Sequence, residues 1–194
     1  MVPKMSKTEK EALEAGGVWW EGELFSGMPN WDVLMTMPQP ELSPDEKKFI
    51  NGPCEKLCEM LNDWEISHHR GDLPEEIWKF FKSEKFFAMI IPKKYGGLEF
   101  SSYANAMVTA KIASRNAVAS STVGVPNSLG PAELLLHYGS EEQKNHYLPR
   151  LASGDEIPCF ALTSTEAGSD ASSIIDSGII CKGTWNGEEI IGIK

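Results

Sequence analysis

The chain has 194 residues, of which 41% are hydrophobic and 24% charged, the proportions of an ordinary globular protein with room for one large domain or two small ones. Its formal net charge of −10 argues against a nucleic-acid partner, because phosphate binding requires clustered lysine and arginine. No apolar run is long enough for a membrane span or a signal peptide, so we expect a cytoplasmic protein with reduced cysteines.

The first segment is rich in proline, glycine, methionine and tryptophan without a regular period, which predicts an irregular N-terminal arm over residues 1–41. Its side chains Trp19, Trp20 and Trp31 are unfavourable in water. We therefore expect the arm to lie against the rest of the chain or against a partner.

Helices are expected over residues 42–156. The Ser-Pro-Asp-Glu sequence at 43–46 is a capping box with proline at the first helical position, so a helix should begin there. Gly52 and Pro53 should break it. Apolar residues then recur every three to four positions and predict a second helix with one buried face: Cys54, Leu57, Cys58, Leu61 and Trp64 or Glu65.

The next predicted helix follows Asp72 and has Pro-Glu at 74–75 in its first turn. Its packing side consists of Ile77, Trp78, Phe80 and Phe81. The phenylalanines of this region favour a core over an acyl pocket: Phe80, Phe81, Phe86 and Phe87.

A connector and a long helix come next. The run Ala-Met-Ile-Ile-Pro at 88–92 predicts a buried extended connector, and Tyr-Gly-Gly at 95–97 predicts a turn. Ser101 or Ser102 should then cap a helix that reaches about Arg115.

Two helices complete the predicted helical region. One covers residues 131–138, with Gly139 as a left-handed cap. A second capping box, Ser-Glu-Glu-Gln at 140–143, opens a helix that runs to Ser153 and stops at Gly154.

The pattern changes to short strands over residues 157–194. Strand-like runs occur at 159–162, 178–181 and 189–193, and Asn-Gly at 186–187 is a hairpin signal between the last two. Because so few strands cannot bury both faces or close an edge, we expect an incomplete β domain.

A hydroxyl-rich loop with one glycine follows the first of these runs, within residues 160–172. Such a loop offers free backbone N–H groups and hydroxyl donors to a planar polar ring or a phosphate. From the residues alone, a Ser/Thr-rich turn capped by its own side chains is an equal alternative.

The loop resembles the flavin-binding signature of acyl-CoA dehydrogenases, Thr-Glu-x-x-x-Gly-Ser-Asp, in having Thr163 followed by Ala-Gly-Ser-Asp at 167–170. Three further segments resemble landmarks of that family, in the same order and at similar spacing: residues 95–97, 139–144 and 147–154.

The resemblance covers residues 42–194. Within the family, three segments resemble the large bacterial branch that serves fatty-acid degradation: residues 19–25, 126–131 and 163–164. The family resemblance implies a mainly α fold, in which an N-terminal helical-bundle domain at 42–156 leads into the first strands of an incomplete β-barrel domain at 157–194.

The resemblance also implies an FAD site in the loop. Phe160, Ala161, Leu162 and Thr163 would line the flavin, with Leu162 and Thr163 donating to the pyrimidine edge of the ring. Ser164 belongs to the same set. Most of the family has Glu at this position and Pro is common at the next, so the hydrogen bonding of the loop is expected to differ.

By the same resemblance, Gly168 would let the backbone approach the cofactor, and the Ser169 hydroxyl would reach a phosphate of FAD or of the acyl-CoA substrate. Asp170 is expected to hold the loop in place. The family's catalytic base is a Glu in a C-terminal helical domain, so no residue of this chain, including Glu166, is predicted as catalytic. The chain alone should be inactive.

The complete enzyme would desaturate a fatty acyl-CoA to the 2,3-enoyl-CoA and pass electrons to an electron-transfer flavoprotein. The complete enzyme could be a homo-oligomer, but the sequence leaves its oligomeric state open. Resemblance to the bacterial branch also implies peripheral association with the inner membrane. The alternatives are a flavin oxidase on the same scaffold and a non-catalytic helical interaction module.

A metal site is not predicted. Cys54 and Cys58 precede His68 and His69 in the sequence, but the cysteines fall on an apolar stripe and match no paired zinc-ligand spacing.

Overall fold

A computed structural model of the chain describes residues 7, 10, 11, 14, 16, 17, 19–159, 162–170, 173–185 and 187–194. Contacts between Cα atoms divide the chain into two units, Met1–Glu41 and Leu42–Lys194. The boundary between helical and β domains after residue 156 stays a prediction.

In the first unit, residues 20–36 include two short helices where the sequence predicts irregular structure, and the described residues 7, 10, 11 and 14 are also helical. The two short helices are a 3-10 helix, Trp20–Ser26, and α1, Trp31–Thr36. The side chain of Asn30 caps α1, and the backbone carbonyl oxygen of Asn30 accepts a hydrogen bond from the Trp20 indole at 2.8 Å. The rings of Trp20 and Trp31 lie 5.1 Å apart. These contacts order a segment whose sequence has no period.

The second unit is mainly helical, as predicted. Its α-helices are α2 (Pro44–Asn51), α3 (Pro53–Met60), α4 (Glu75–Ser83), α5 (Ser102–Ala113), α6 (Ala117–Gly124), α7 (Pro131–Tyr138) and α8 (Glu141–Ser153). Shorter 3-10 turns lie at Phe86–Ala88 and Lys93–Tyr95, and π-helical turns at Glu65–Arg70 and Val125–Leu129. Across the described ranges, none of the helices has the length and apolar character needed to cross a membrane.

The predicted start of α2 and its break from α3 are confirmed. Ser43 and Glu46 form a reciprocal capping box, with Ser43 N–H donating to the Glu46 carboxylate at 2.7 Å. Gly52 separates the two helices, and a Cβ there would lie 2.9 Å from the Lys48 carbonyl oxygen. Only glycine fits this junction without moving the backbone.

The core lies between the helices of the second unit. Its largest cluster includes Phe49, Leu57, Leu61, Ile77, Phe81, Phe86, Val108, Ile112 and Val123. The prediction that the phenylalanine cluster belongs to the core is confirmed for Phe81, Phe86 and Phe87, and Phe80 packs against them partly buried. Trp64 is 62% exposed, so its assignment to the apolar face of α3 is wrong. That helix ends at Met60, and the face defined by its period does not continue to Trp64.

The connector before α5 is buried, as predicted, but it is not extended throughout. Residues Phe86–Ala88 form a 3-10 turn, and Met89 has helical backbone angles. Asn127 explains this bent path, because its buried amide group donates to the carbonyl oxygens of Phe86 and Val123 and accepts from Ile90 N–H. One satisfied polar side chain thus fixes the connector.

The caps of the last two helices differ from each other. Gly154 ends α8 with φ of 73°, so the predicted left-handed cap is confirmed there. Gly139 has φ of −70° and ψ of 148°, so the left-handed cap predicted for it is wrong. The reason is that Ser140 caps α8 directly afterwards, and an extended Gly139 leads straight into that capping box.

The predicted hairpin is confirmed. Strand β1, Ile180–Trp185, pairs antiparallel with β2, Glu188–Ile193, and Trp185 lies opposite Glu188. Asn186 of the turn lies outside the described residues. The earlier strand predicted at 159–162 is not observed at Cys159 or Leu162, which belong to no ladder. Phe160 and Ala161 lie outside the described residues, and Cys159 and Leu162 pair with no described strand.

Candidate functional site

The candidate loop leaves the helical body at the end of α8. The N–H groups of Asp155 and Glu156 donate to the Arg150 carbonyl oxygen at 3.0 and 3.3 Å. These bonds satisfy the last turn of the helix and fix the direction in which the chain continues. The position of the helical body therefore determines where the loop begins.

A closed turn over residues 164–167 forms the middle of the loop. The Ser164 N–H donates to the Ala167 carbonyl oxygen at 3.1 Å. In return, the Ser164 hydroxyl accepts hydrogen bonds from Glu166 N–H at 3.3 Å and Ala167 N–H at 3.1 Å. Ala167 is buried, whereas its neighbours Glu166 and Gly168 are exposed. The turn capped by its own side chain is therefore what the structure shows for these four residues.

The two flanks of this turn offer donors that an anionic or carbonyl-bearing ligand could use. The N–H groups of Leu162, Thr163, Gly168 and Ser169 donate to no other described residue. A Cβ built on Gly168 would meet nothing within 4 Å, so the backbone there is open to an approaching group. Free amides and hydroxyls of this kind fit the pyrimidine edge of a flavin and its phosphates. The described residues are thus compatible with FAD.

Five of the predicted flavin residues lie together in this loop: Leu162, Thr163, Ser164, Gly168 and Ser169. The other two, Phe160 and Ala161, lie outside the described residues. The individual contacts of all seven with FAD stay predictions.

Asp170 holds the end of the loop, as expected for it. Its carbonyl oxygen accepts from Ser173 N–H at 3.1 Å, and its carboxylate accepts a hydrogen bond from the Ser173 hydroxyl. A carboxylate engaged in this way supports the backbone locally.

Glu46 is the buried carboxylate of the described chain, and it is not suited to remove a proton from a substrate. Burial by itself would raise its pKa, but hydrogen bonds from Ser101 and Ser43 outweigh that effect and lower the pKa to about 2. A group with so low a pKa is a poor general base near neutrality. Glu166 is exposed in the loop.

The two helical cysteines do not resemble a metal site. Burial raises the pKa of the Cys54 thiol to about 12 and also raises that of Cys58. Both thiols donate to backbone carbonyl oxygens of α5. A protonated thiol is a poor metal ligand. In the part of the chain that the structure describes, no three His, Cys, Asp or Glu side chains come together as a ligand group.

An open apolar cleft of about 220 Å³ lies beside α2, and the sequence does not reveal it. It is lined by Asp45, Lys48, Phe49, Pro53, Lys93, Leu98 and Phe100. Lys93 and Asp45 form an ion pair of 3.1 Å, whereas Lys48 pairs with no other described residue. Three separate segments build the cleft, so no local pattern could have identified it.

Comparison with known proteins gives a consistent result. The family model described as acyl-CoA dehydrogenase, N-terminal domain, matches residues 52–155. The very long-chain specific acyl-CoA dehydrogenase of Rattus norvegicus mitochondria is 30% identical over 179 residues, which are 91% of this chain and 26% of that protein. A probable acyl-CoA dehydrogenase of Bacillus subtilis is 33% identical over 172 residues, or 86% of this chain and 27% of that protein. The chain spans about a quarter of the length of these relatives.

Solved structures share the fold. Butyryl-CoA dehydrogenase from Megasphaera elsdenii superposes with a TM-score of 0.60 at 22% identity, over 70% of this chain and 36% of that one. The prolyl acyl carrier protein oxidase AnaB gives a TM-score of 0.55 at 21% identity, over 78% of this chain and 39% of that one. At these identities the likeness concerns the fold alone.

Proposed function

The chain belongs to the acyl-CoA dehydrogenase family, and from this membership we propose that the complete protein is an FAD-dependent enzyme that converts a saturated fatty acyl-CoA to the 2,3-enoyl-CoA. The observation that carries the proposal is the family match over residues 52–155, followed by a loop whose flavin-compatible N–H donors bond to no other described residue. On the resemblance of its arm and loop, we place the enzyme in bacterial fatty-acid β-oxidation.

The reaction removes a proton from the α-carbon of the thioester and a hydride from its β-carbon. When bound, FAD supplies the hydride acceptor. The part proposed for this chain is to bind and orient: N–H groups of Leu162 and Thr163 would face the pyrimidine edge, where they stabilise negative charge. The hydroxyl of Ser169 would bind a phosphate oxygen of FAD or acyl-CoA.

We place the catalytic base outside this chain. The buried carboxylate of Glu46 remains ionised and held by backbone N–H groups, and Glu166 belongs to the flavin loop. By the family resemblance, a Glu in a C-terminal helical domain of the complete protein would take the α-proton, and this chain by itself would be inactive.

The cleft beside α2 is proposed as a contact for the electron acceptor, an electron-transfer flavoprotein. Its volume of about 220 Å³ is below the roughly 300 Å³ at which small-molecule sites begin. It suits one apolar side chain of a protein partner, with Phe49, Leu98 and Phe100 as the apolar wall. Lys48, which pairs with no other described residue, lies at the rim and would attract a carboxylate of that partner.

A spectroscopic experiment tests the proposed activity. The complete protein should purify with the visible spectrum of bound flavin, or acquire it on incubation with FAD. Anaerobic addition of a fatty acyl-CoA should then bleach the flavin band. If oxygen in air reoxidises the reduced flavin faster than electron-transfer flavoprotein does, the protein is the related flavin oxidase instead. A protein that cannot be loaded with FAD would contradict the proposal and favour the non-catalytic module.

A further inference from the structure

We propose that Ser164 is a positioning residue whose hydroxyl closes the turn between the two halves of the flavin site, and that it does not hold the flavin itself. The halves are residues 162–163 and residues 168–169, which flank the turn. This inference rests on the proposed function and adds to it how the loop is shaped.

The contacts of Ser164 all lie within the loop. Its hydroxyl accepts from Glu166 N–H and Ala167 N–H, so both acceptor positions of that oxygen are used. Its own N–H donates to the Ala167 carbonyl oxygen at 3.1 Å. Three hydrogen bonds thus tie the start of the turn to its end.

The closure brings the two donor flanks together. Thr163 directly precedes the bonded Ser164, and Gly168 directly follows the bonded Ala167. The turn is anchored by Ala167, which is 5% exposed, whereas Leu162 is 44% exposed. The turn is thus anchored by a buried residue, whereas its flanks are exposed. This arrangement is expected if the turn sets the distance between the N–H donors for the flavin ring and the donors for the phosphate.

Loss of the Ser164 hydroxyl should widen the loop without removing any predicted flavin donor. Two backbone N–H groups would lose their acceptor, and only the backbone hydrogen bond from residue 164 to the Ala167 carbonyl oxygen would still close the turn, so the flanks would be held less firmly. We expect Ser164→Ala in the complete protein to raise the Kd for FAD by about tenfold.

Asparagine at this position separates positioning from direct contact. Its side-chain oxygen can accept the N–H group two residues on, as in an Asx-turn, but it carries no hydroxyl. If Ser164 positions the loop, Ser164→Asn and Ser164→Thr both bind FAD with nearly the Kd of the parent. The matched control is Thr165→Ala, because the Thr165 hydroxyl bonds to no other described residue. This control should leave the Kd unchanged.

The experiment measures the Kd for FAD by flavin fluorescence and the hydrogen exchange of the Glu166 and Ala167 amides in the FAD-free protein. The inference is supported if exchange is faster in Ser164→Ala and returns to the parent rate in Ser164→Asn. The Kd for FAD should follow the same order, higher in Ser164→Ala and close to that of the parent in Ser164→Asn. Unchanged exchange and Kd in Ser164→Ala would overturn it. Rescue of the Kd by Thr but not by Asn would overturn it in favour of direct contact between the hydroxyl and the flavin.

The two proposals fail in different ways. If the parent protein binds no FAD, the proposed function fails and the inferred role towards flavin is overturned with it, even where the exchange difference shows that Ser164 closes the turn. If the parent binds FAD and the exchange rates do not respond to Ser164, only the positioning role fails.

Discussion

At the scale of single residues, one buried carboxylate joins two helices that are far apart in the sequence. Glu46 accepts hydrogen bonds from Ser43 N–H at the start of α2 and from Ser101 N–H at the start of α5, both at 2.7 Å. Each carboxylate oxygen serves one helix start, where unpaired N–H groups and the helix dipole favour negative charge. The side chain therefore stabilises the junction only while it is ionised.

Replacement of Glu46 by glutamine should lower the free energy of unfolding at pH 7 by about 3 kcal/mol. This value follows from the pKa of Glu46, which folding lowers from 4.5 to about 2. Glutamine has one acceptor oxygen and leaves one N–H unpaired. Because the folded state has the lower pKa, this stabilisation is complete above about pH 5 and is lost as the pH falls towards 2. Denaturant unfolding between pH 7 and pH 3 measures it.

The control for that experiment is Glu76→Gln, since Glu76 is an exposed carboxylate near the start of α4. The stability difference between the Glu46 variant and the parent should shrink as the pH falls, whereas the control should stay close to the parent at every pH. A difference that did not depend on pH would contradict the role given to the ionised carboxylate.

At the scale of elements, glycines decide where the backbone of one segment can pass another. A Cβ on Gly97 would lie 1.9 Å from the Ile91 carbonyl oxygen, closer than any real contact. The segment that follows Gly97 hydrogen-bonds to the connector, with Leu98 N–H donating to Ala88 at 2.9 Å and Phe100 N–H donating to Met89 at 2.7 Å. The connector and this segment can pair only because residue 97 lacks a side chain.

Gly97→Ala should therefore destabilise the helical unit, by about 2 to 3 kcal/mol or more, because the contact is with backbone and cannot be relieved by a rotamer change. Thermal unfolding followed by circular dichroism measures the loss. Gly183→Ala in β1 is the matched control, since a Cβ there would meet nothing within 4 Å. Equal melting temperatures for the two variants would disprove the packing argument.

At the scale of the whole molecule, the described chain exposes apolar surfaces that suit partners. The cleft beside α2 is one of them. The hairpin is another, because Ile180, Trp185 and Ile193 are each more than two-thirds exposed. A two-stranded sheet has no second layer to cover such side chains. The cleft supports the proposed contact with a protein electron acceptor.

Arginine in place of Leu98 tests the acceptor contact. It would put a charge in the apolar wall of the cleft, and we expect turnover with electron-transfer flavoprotein to fall about tenfold. Anaerobic flavin reduction by acyl-CoA should be unchanged, because that half-reaction does not use the cleft. Leu134→Arg, at an exposed position on α7, is the control and should alter neither rate. A slowed reduction step, or normal turnover in the Leu98 variant, would contradict the docking site.

Much of the helical architecture can be predicted from the sequence. Ser43, Ser101 and Ser140 each accept from an N–H three residues on, and Gly154 adopts the left-handed conformation that ends α8. The errors have identifiable sources. Gly139 is extended because the next helix starts at once, and Trp64 lies beyond the end of α3. The helix α6 and both π-helical turns were not predicted, since a small-residue run has no apolar period.

The sequence by itself determined where most helices begin and end, where the hairpin turns, and which loop resembles a flavin site. These features depend on hydrogen bonds and backbone angles within a few residues of each other. The tertiary structure alone decided that Glu46 bridges two helix starts, that Asn127 fixes the connector, and that Phe49 and Phe100 share a cleft. Such contacts join residues about 40 to 55 positions apart, so they exist only once the core has packed.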